Sequence, residues 1–225
     1  MNNEFYTSVL DIKNLSKGNY IIRLDKKHME FNAGQFFSIG LEKLGVNREY
    51  SVASSPTENY IDFYIREIKD GTISSSLRNL EVGDKVKILG PFGEFYLNTY
   101  EEEKKYIFFA TGTGLAPFLS LINYHKINDY QIYHGVRYLE DIFTLFELKN
   151  YNAFVSREKE LDLNGFKNNN INIKKGRMNK YLENLTLNEN MLFFLCGNSQ
   201  MVSDIYDILV SKKIGQKNIF TEIFF

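Results

Sequence analysis

Two glycine-bearing turns in the second half of the chain close strand-length apolar runs. Tyr106–Ala110 is apolar and aromatic, Gly112-Thr113-Gly114 follows it, and Pro117 opens an apolar helical pattern. A glycine turn between a strand and a helix start brings bare backbone close to a ligand, because glycine accepts positive φ and has no side chain. The first helical turn leaves N–H groups free for anions or polarised oxygens. Proline suits that turn because it has no N–H to leave unpaired. The stretch is either half of a nucleotide site or an ordinary β-turn-α connection. Pro117 stands where the GxGxxG fingerprint has its third glycine, so a simple Rossmann dehydrogenase is not the natural assignment. Val155-Ser156-Arg157-Glu158 and Cys196-Gly197-Asn198 close two further apolar runs. Three polar strand ends on one sheet edge define a site better than any single motif does.

The elements that must carry these ends differ between the two halves. In the first half, Phe5–Ile12, Tyr20–Leu24, Gln35–Leu41, Arg48–Ala53, Ile61–Ile68 and Lys85–Leu89 are short β-rich runs separated by turn residues. Six short strands and a single helical stretch, Ser74–Leu80, predict a small antiparallel barrel. From Tyr106 onward strands alternate with helices. Tyr106–Ala110 precedes a helix from about Ala116 to Lys126, and Tyr130–Val136 precedes one over Leu139–Lys149. Asn152–Val155 precedes a polar loop that includes the asparagine run Lys167–Asn170. Asn179–Leu185 is a short helix, Met191–Leu195 precedes Ser199–Lys212, and Ile219–Phe225 is a last strand. Alternation of this kind predicts a parallel sheet covered by helices, with ligands at the carboxyl ends of its strands. The polar stretch Asn98–Lys105 marks the boundary, giving a β-barrel domain over 1–100 and an α/β domain over 101–225.

Bulk composition narrows the function classes. The chain has 225 residues, 44% of them hydrophobic, and a formal net charge of −1. That charge does not suit nucleic acid, which calls for a basic excess. One cysteine excludes an internal disulfide, a four-cysteine iron–sulfur cluster and a cysteine-rich zinc site within these residues. His28, His125 and His134 show no metal-ligand spacing, and His134 reads as a strand-closing residue. No run approaches the ~18 apolar residues of a membrane span, and the first residues do not form a signal peptide. A cytoplasmic protein is the expectation.

Four motifs in order now carry a resemblance. Arg48-Glu49-Tyr50-Ser51, Gly71-Thr72-Ile73-Ser74, Gly112-Thr113-Gly114-Leu115-Ala116-Pro117 and Cys196-Gly197-Asn198-Ser199-Gln200-Met201 resemble the ferredoxin–NADP reductase family. The tail Thr221-Glu222-Ile223-Phe224-Phe225 is similar to that of its bacterial ferredoxin/flavodoxin–NADP reductases. The resemblance implies an FAD-binding barrel, an NADP(H)-binding α/β domain, and transient partnership with ferredoxin or flavodoxin, without nucleic acid or membrane. It implies that Arg48 meets the flavin pyrophosphate, Tyr50 lies against the isoalloxazine and Ser51 hydrogen-bonds near N5. Arginine gives a charge-assisted fork to phosphate, and tyrosine offers a flat apolar face. Gly71, Thr72, Ile73 and Ser74 would bind pyrophosphate at a helix start, or form a plain N-cap. Tyr64 and Ile65 match the strand lining the flavin, or belong to the core.

On the nucleotide side, the resemblance implies that Gly112, Thr113, Gly114, Cys196 and Gly197 surround the nicotinamide, with Thr113 also near the flavin. Cys196 would shape the pocket, or be a small core residue. Ser156 and Arg157 match the positions that take the 2′-phosphate of NADP, and Arg177 resembles a second phosphate-binding arginine. A surface pair of Arg157 with Glu158 is the competing explanation. Arg137 is a weaker candidate. Glu222 is implied to assist proton exchange through Ser51, so that Ser51, Cys196 and Glu222 form the catalytic set. Phe224 would stack on the isoalloxazine and Phe225 extend that contact. Phenylalanine at both positions departs from the more usual Tyr and Trp, which keeps the ring face and drops the polar tip. Lys26, Lys27 and Arg66 are candidate contacts for an acidic carrier. Two alternatives stand beside this assignment: a reductase component of a larger electron-transfer system, and a non-catalytic flavin-binding regulatory module.

Overall fold

The computed structural model describes residues 4–142, 148–164, 170–182 and 185–224. The chain divides into two compact units, 1–99 with 116–126, and 100–115 with 127–225. Among the described residues each unit is built on a six-stranded sheet.

The first unit contains β1 (Glu4–Asn14), β2 (Asn19–Asp25), β3 (Phe36–Gly40), β4 (Asn47–Ser51), β5 (Tyr60–Arg66), α1 (Thr72–Arg78) and β6 (Lys85–Phe92). Its strands run in the order β4-β3-β6-β1-β2-β5, and every pairing is antiparallel. A bridge between Val52 and Phe63, with Ala53 N–H donating to the Asp62 carbonyl at 2.8 Å, joins the two edges into a barrel. Alternation along each strand turns Val9, Ile22, Leu24, Phe37, Ile39, Phe63, Ile65, Val86 and Ile88 into one core. Each such side chain contributes about 1.5–3 kcal/mol by leaving water. α1 adds Ile73 and Leu77 to that core.

Helix α2 (Ala116–His125) follows the glycine turn in sequence and groups with the first unit. Ser120 Oγ donates to the Ser54 carbonyl at 2.6 Å, and Phe118 packs on Phe95 with ring centroids 6.0 Å apart.

The second unit contains β7 (Lys105–Thr111), β8 (Tyr130–Val136), β9 (Tyr151–Val155), β10 (Ile171–Lys175), α3 (Asn179–Leu182), β11 (Met191–Asn198), α4 (Ser199–Ser211) and β12 (Ile219–Phe224). All pairings are parallel, in the order β10-β9-β8-β7-β11-β12. The chain winds outward from β7 to β10, then returns to place β11 on the other side of β7. The strand order therefore reverses between β7 and β11, where doubly wound sheets bind their ligands. The central strands are apolar throughout because both faces are covered. Ile107, Phe109, Phe193 and Leu195 pack with Val202, Ile205 and Leu209 of α4. The opposite face carries Phe108, Phe194 and Phe220, the last two stacked with centroids 4.5 Å apart.

Two expectations are corrected. The helix expected over Leu139–Lys149 is, among the described residues, only a 3-10 turn at Leu139–Asp141. The chain leaves it at Ile142, which is extended and buried. The polar loop after β9 contains the edge strand β10, paired in register with Tyr151–Val155. The interior of Leu139–Lys149, most of the asparagine run, Glu183, Asn184 and Phe225 lie outside the described residues.

Candidate active site

At the switch point, two glycines let the ends of β7 and β11 interlock. A Cβ on Gly114 would lie 2.3 Å from the Cys196 carbonyl oxygen. A Cβ on Gly197, whose φ is +133°, would lie 2.3 Å from Thr111 Oγ1 and 2.9 Å from the Thr111 carbonyl oxygen. Thr111 Oγ1 accepts from Asn198 N–H at 2.9 Å, which ties the two ends together. Asn198 also caps α4, its side-chain oxygen accepting from Gln200 N–H at 3.1 Å. Gly112 is different: it takes φ +54° with nothing near the place a Cβ would occupy. Gly112 opens the 3-10 turn Gly112–Leu115, in which Gly114 and Leu115 are buried.

Cys196 is fully buried beside this turn. Its Sγ lies 3.8 Å from Glu222 Oε1, the register neighbour on β12. Burial, and then the Glu222 carboxylate, push the thiol pKa well above its ordinary value. The thiolate is the nucleophilic form, so Cys196 is built as a neutral thiol that donates to Glu222. Native protein at pH 8 is therefore expected to resist alkylation by iodoacetamide and to react fully once unfolded in denaturant. Alkylation of the native protein at the rate of a free thiol would contradict this environment. Phe224 follows on β12, half-buried and level with Asn198.

The carboxyl ends of β8, β9 and β10 each carry an arginine: Arg137, Arg157 and Arg177. Arg157 N–H donates to the Arg137 carbonyl at 2.9 Å, and Gly176 N–H to the Val155 carbonyl at 2.8 Å. These bonds set Arg157 and Arg177 on neighbouring strand ends. Both side chains are exposed. Glu158 does not pair with Arg157; its Oε1 accepts from Leu139 N–H at 3.3 Å. Among the described residues no carboxylate pairs with Arg157 or Arg177. Ser156 Oγ donates to the Val136 carbonyl at 3.0 Å.

The first unit holds the other candidate residues. On β4 Arg48 is exposed, with Nη1 donating to the Asn47 carbonyl at 2.8 Å. Tyr50 is half-buried, and desolvation pushes its phenol up to about 12 against the opposing pull of Arg48. Ser51 is buried. On β5 Ile65 points into the barrel core, whereas Tyr64 is buried on the other face of the strand, the face of Asp62. Ile65 and Ile73 can therefore offer a ligand only their backbone. Gly71 precedes α1 with no side-chain cap, so the helix start is left open. Ser74 is committed inward: its Oγ accepts from Ile68 N–H at 3.0 Å, and its carbonyl accepts from Tyr20 OH at 2.6 Å. Lys26 and Lys27 are engaged with the carbonyls of Pro56 and Tyr6.

Sequence reasoning missed His134. It is fully buried on β8, with Nε2 2.8 Å from the Gly112 carbonyl oxygen and Nδ1 2.6 Å from Tyr151 OH. Its partners lie 22 and 17 residues away, so no local pattern points to them.

Among the described residues no cluster of His, Cys, Asp or Glu suits a metal ion, and no helix is long and apolar enough to cross a membrane. Comparison with known proteins agrees with this geometry. Residues 8–96 match the oxidoreductase FAD-binding domain, and residues 108–207 the oxidoreductase NAD-binding domain. The chain is 29% identical to a flavodoxin/ferredoxin–NADP reductase of Buchnera aphidicola subsp. Baizongia pistaciae, over 97% of this chain and 95% of that protein. It is 26% identical to the 2-halobenzoate 1,2-dioxygenase electron transfer component of Burkholderia cepacia, over 87% of this chain and 59% of that one. The crystal structure of a ferredoxin NADP+ reductase from Neisseria gonorrhoeae, with bound FAD and NADP, shares the fold. Its TM-score is 0.83 at 22% identity, over 99% of both chains. An antiparallel barrel matched as FAD-binding, joined to a doubly wound sheet matched as NAD-binding, makes the chain a member of the ferredoxin–NADP reductase family of oxidoreductases.

Proposed function

We propose that the chain is a reductase that moves a hydride between NADP(H) and bound FAD, and single electrons to or from ferredoxin or flavodoxin. The observation that carries the choice of NADP is the pair of strand-end arginines. A 2′-phosphate is dianionic and needs cations and donors, whereas a site for NAD presents a carboxylate to the free ribose hydroxyl. Arg157 and Arg177 supply the cations, and the adjacent carboxylate, Glu158, is held by Leu139 N–H. Ser156 adds a hydroxyl at the same strand end.

The donor set of the chain fits both nucleotides. The open Gly112 turn admits a nucleotide to bare backbone, and the exposed guanidinium of Arg48 and the uncapped start of α1 suit a pyrophosphate. The half-buried Tyr50 offers a ring face to a flavin. Bound FAD supplies hydride acceptance and the passage from two-electron to one-electron chemistry. The protein supplies position. In this account Thr113 orients the nicotinamide through its backbone, the neutral Cys196 keeps that place apolar with Glu222 as its acceptor, and Ser51 serves the flavin on the barrel. The barrel domain, 1–100, holds the flavin and the α/β domain, 101–225, the dinucleotide.

The similarity to a dioxygenase electron transfer component keeps a second carrier class in view. Flavin-loaded protein supplied with NADPH should reduce added flavodoxin or ferredoxin in a stopped-flow assay. Transfer only to an oxygenase-type iron–sulfur protein would move the chain to the second class.

A further inference from the structure

The mechanism above leaves His134 without a task. A buried imidazole is costly unless both ring nitrogens find partners, and here both do. The Gly112 carbonyl can only accept, so Nε2 must carry the proton and donate at 2.8 Å. Nδ1 is then the acceptor for the Tyr151 hydroxyl at 2.6 Å. The environment keeps the ring in this neutral form: burial pulls the His134 pKa down to about 4. The sheet makes room for it. In register, His134 lies between Ala110 of β7 and Ala153 of β9, so a small residue flanks the ring on each side. Tyr151 is itself buried and stacks near the ring, with planes 22° apart. Space-filling alone would be met by leucine and would need neither bond.

Gly112 opens the 3-10 turn Gly112–Leu115 at φ +54°, with open space where a Cβ would sit; with no side chain of its own, it is held only through its backbone. A peptide unit is planar and trans, so the Gly112 carbonyl and the Thr113 N–H point in opposite directions. Turning the carbonyl toward His134 turns the Thr113 N–H away from it.

We infer that His134 is a positioning residue for the nicotinamide nucleotide: by holding the Gly112 carbonyl it aims the Thr113 N–H at the bound dinucleotide, and Tyr151 fixes the tautomer that lets it do so. This deepens the reductase assignment and rests on it. The contact acts through Gly112, and His134 itself touches no substrate.

The test measures NADP+ binding by isothermal titration calorimetry on flavin-loaded protein, with thermal stability and flavin content recorded alongside. His134→Gln places an amide N–H where Nε2–H stood, whereas His134→Asn places it where Nδ1 stood. His134→Leu removes both. The expected result is a Kd for NADP+ about five- to tenfold weaker in His134→Asn and His134→Leu, the scale of one lost hydrogen bond. His134→Gln should stay within about twofold of the unaltered protein. If His134→Leu does not fold, the Gln and Asn pair decides. Equal affinity in all folded variants, or losses that follow thermal stability and ignore the Gln/Asn distinction, would overturn this inference alone. Failure of the unaltered protein to bind NADP+ would overturn it together with the reductase assignment.

Discussion

Gly197→Ala is expected to destabilise the second unit by about 2–6 kcal/mol and to abolish NADP+ binding. The new Cβ would lie 2.3 Å from Thr111 Oγ1 and within 3.0 Å of Thr111 backbone atoms. Neither strand end can retreat cheaply, because β7 and β11 are paired in parallel from Met191 to Cys196. Overpacking of this kind costs about 1–3 kcal/mol, and holding alanine at φ +133° adds about 1–3 kcal/mol more. The sum is a large part of the ~5–15 kcal/mol by which a domain is stable. Urea unfolding monitored by circular dichroism would read the loss as a lower midpoint at unchanged slope. A midpoint equal to that of the unaltered protein would show that the two strand ends are not locked as described.

Arg157→Ala carries the largest expected effect on activity. Removing a cation that forms charge-assisted bonds to phosphate costs about 1.5–3 kcal/mol. On this basis kcat/KM for NADPH should fall about 10- to 100-fold, while kcat/KM for NADH stays within about twofold. Arg177→Ala should act in the same direction, and under the proposed NADP site the two effects should not add fully, because both arginines would then serve one phosphate. Equal losses with both nucleotides would remove the basis for assigning NADP.

Much of this architecture is legible in the chain because buried parallel strands are written as continuous apolar runs. Tyr130–Val136 is a strand from end to end as the pattern predicts. The strand β10 is not legible for the opposite reason. It is an edge strand, INIKK, held by backbone pairing to β9 and by Asn172 Nδ2 donating to Asn152 Oδ1 at 3.0 Å. Neither interaction leaves an apolar signature. The helical pattern at Leu139 misleads because Ile142, which would lie on a helix's apolar face, is buried by an extended backbone instead.

The site is legible in part on the same physical terms. Glycine turns and strand-end arginines advertise themselves by residue type and position. What they cannot advertise is which backbone atoms they approach. That Gly114 seats against Cys196, that Glu158 turns to Leu139 N–H and leaves Arg157 unpaired by it, and that His134 reaches Gly112 are all products of register between strands distant in sequence. Ile65 and Ile73 show the reverse: motif positions whose side chains the barrel core takes for itself.

The central claim is that NADPH delivers reducing equivalents to a flavin held by this chain. The most direct measurement is an anaerobic titration of the FAD-loaded protein with NADPH, following the visible flavin absorbance. The account predicts bleaching of the bound flavin by NADPH within the dead time or seconds of mixing, and a much slower response to NADH. A protein that binds no FAD, or one whose bound flavin keeps its oxidised spectrum in excess NADPH, would contradict it.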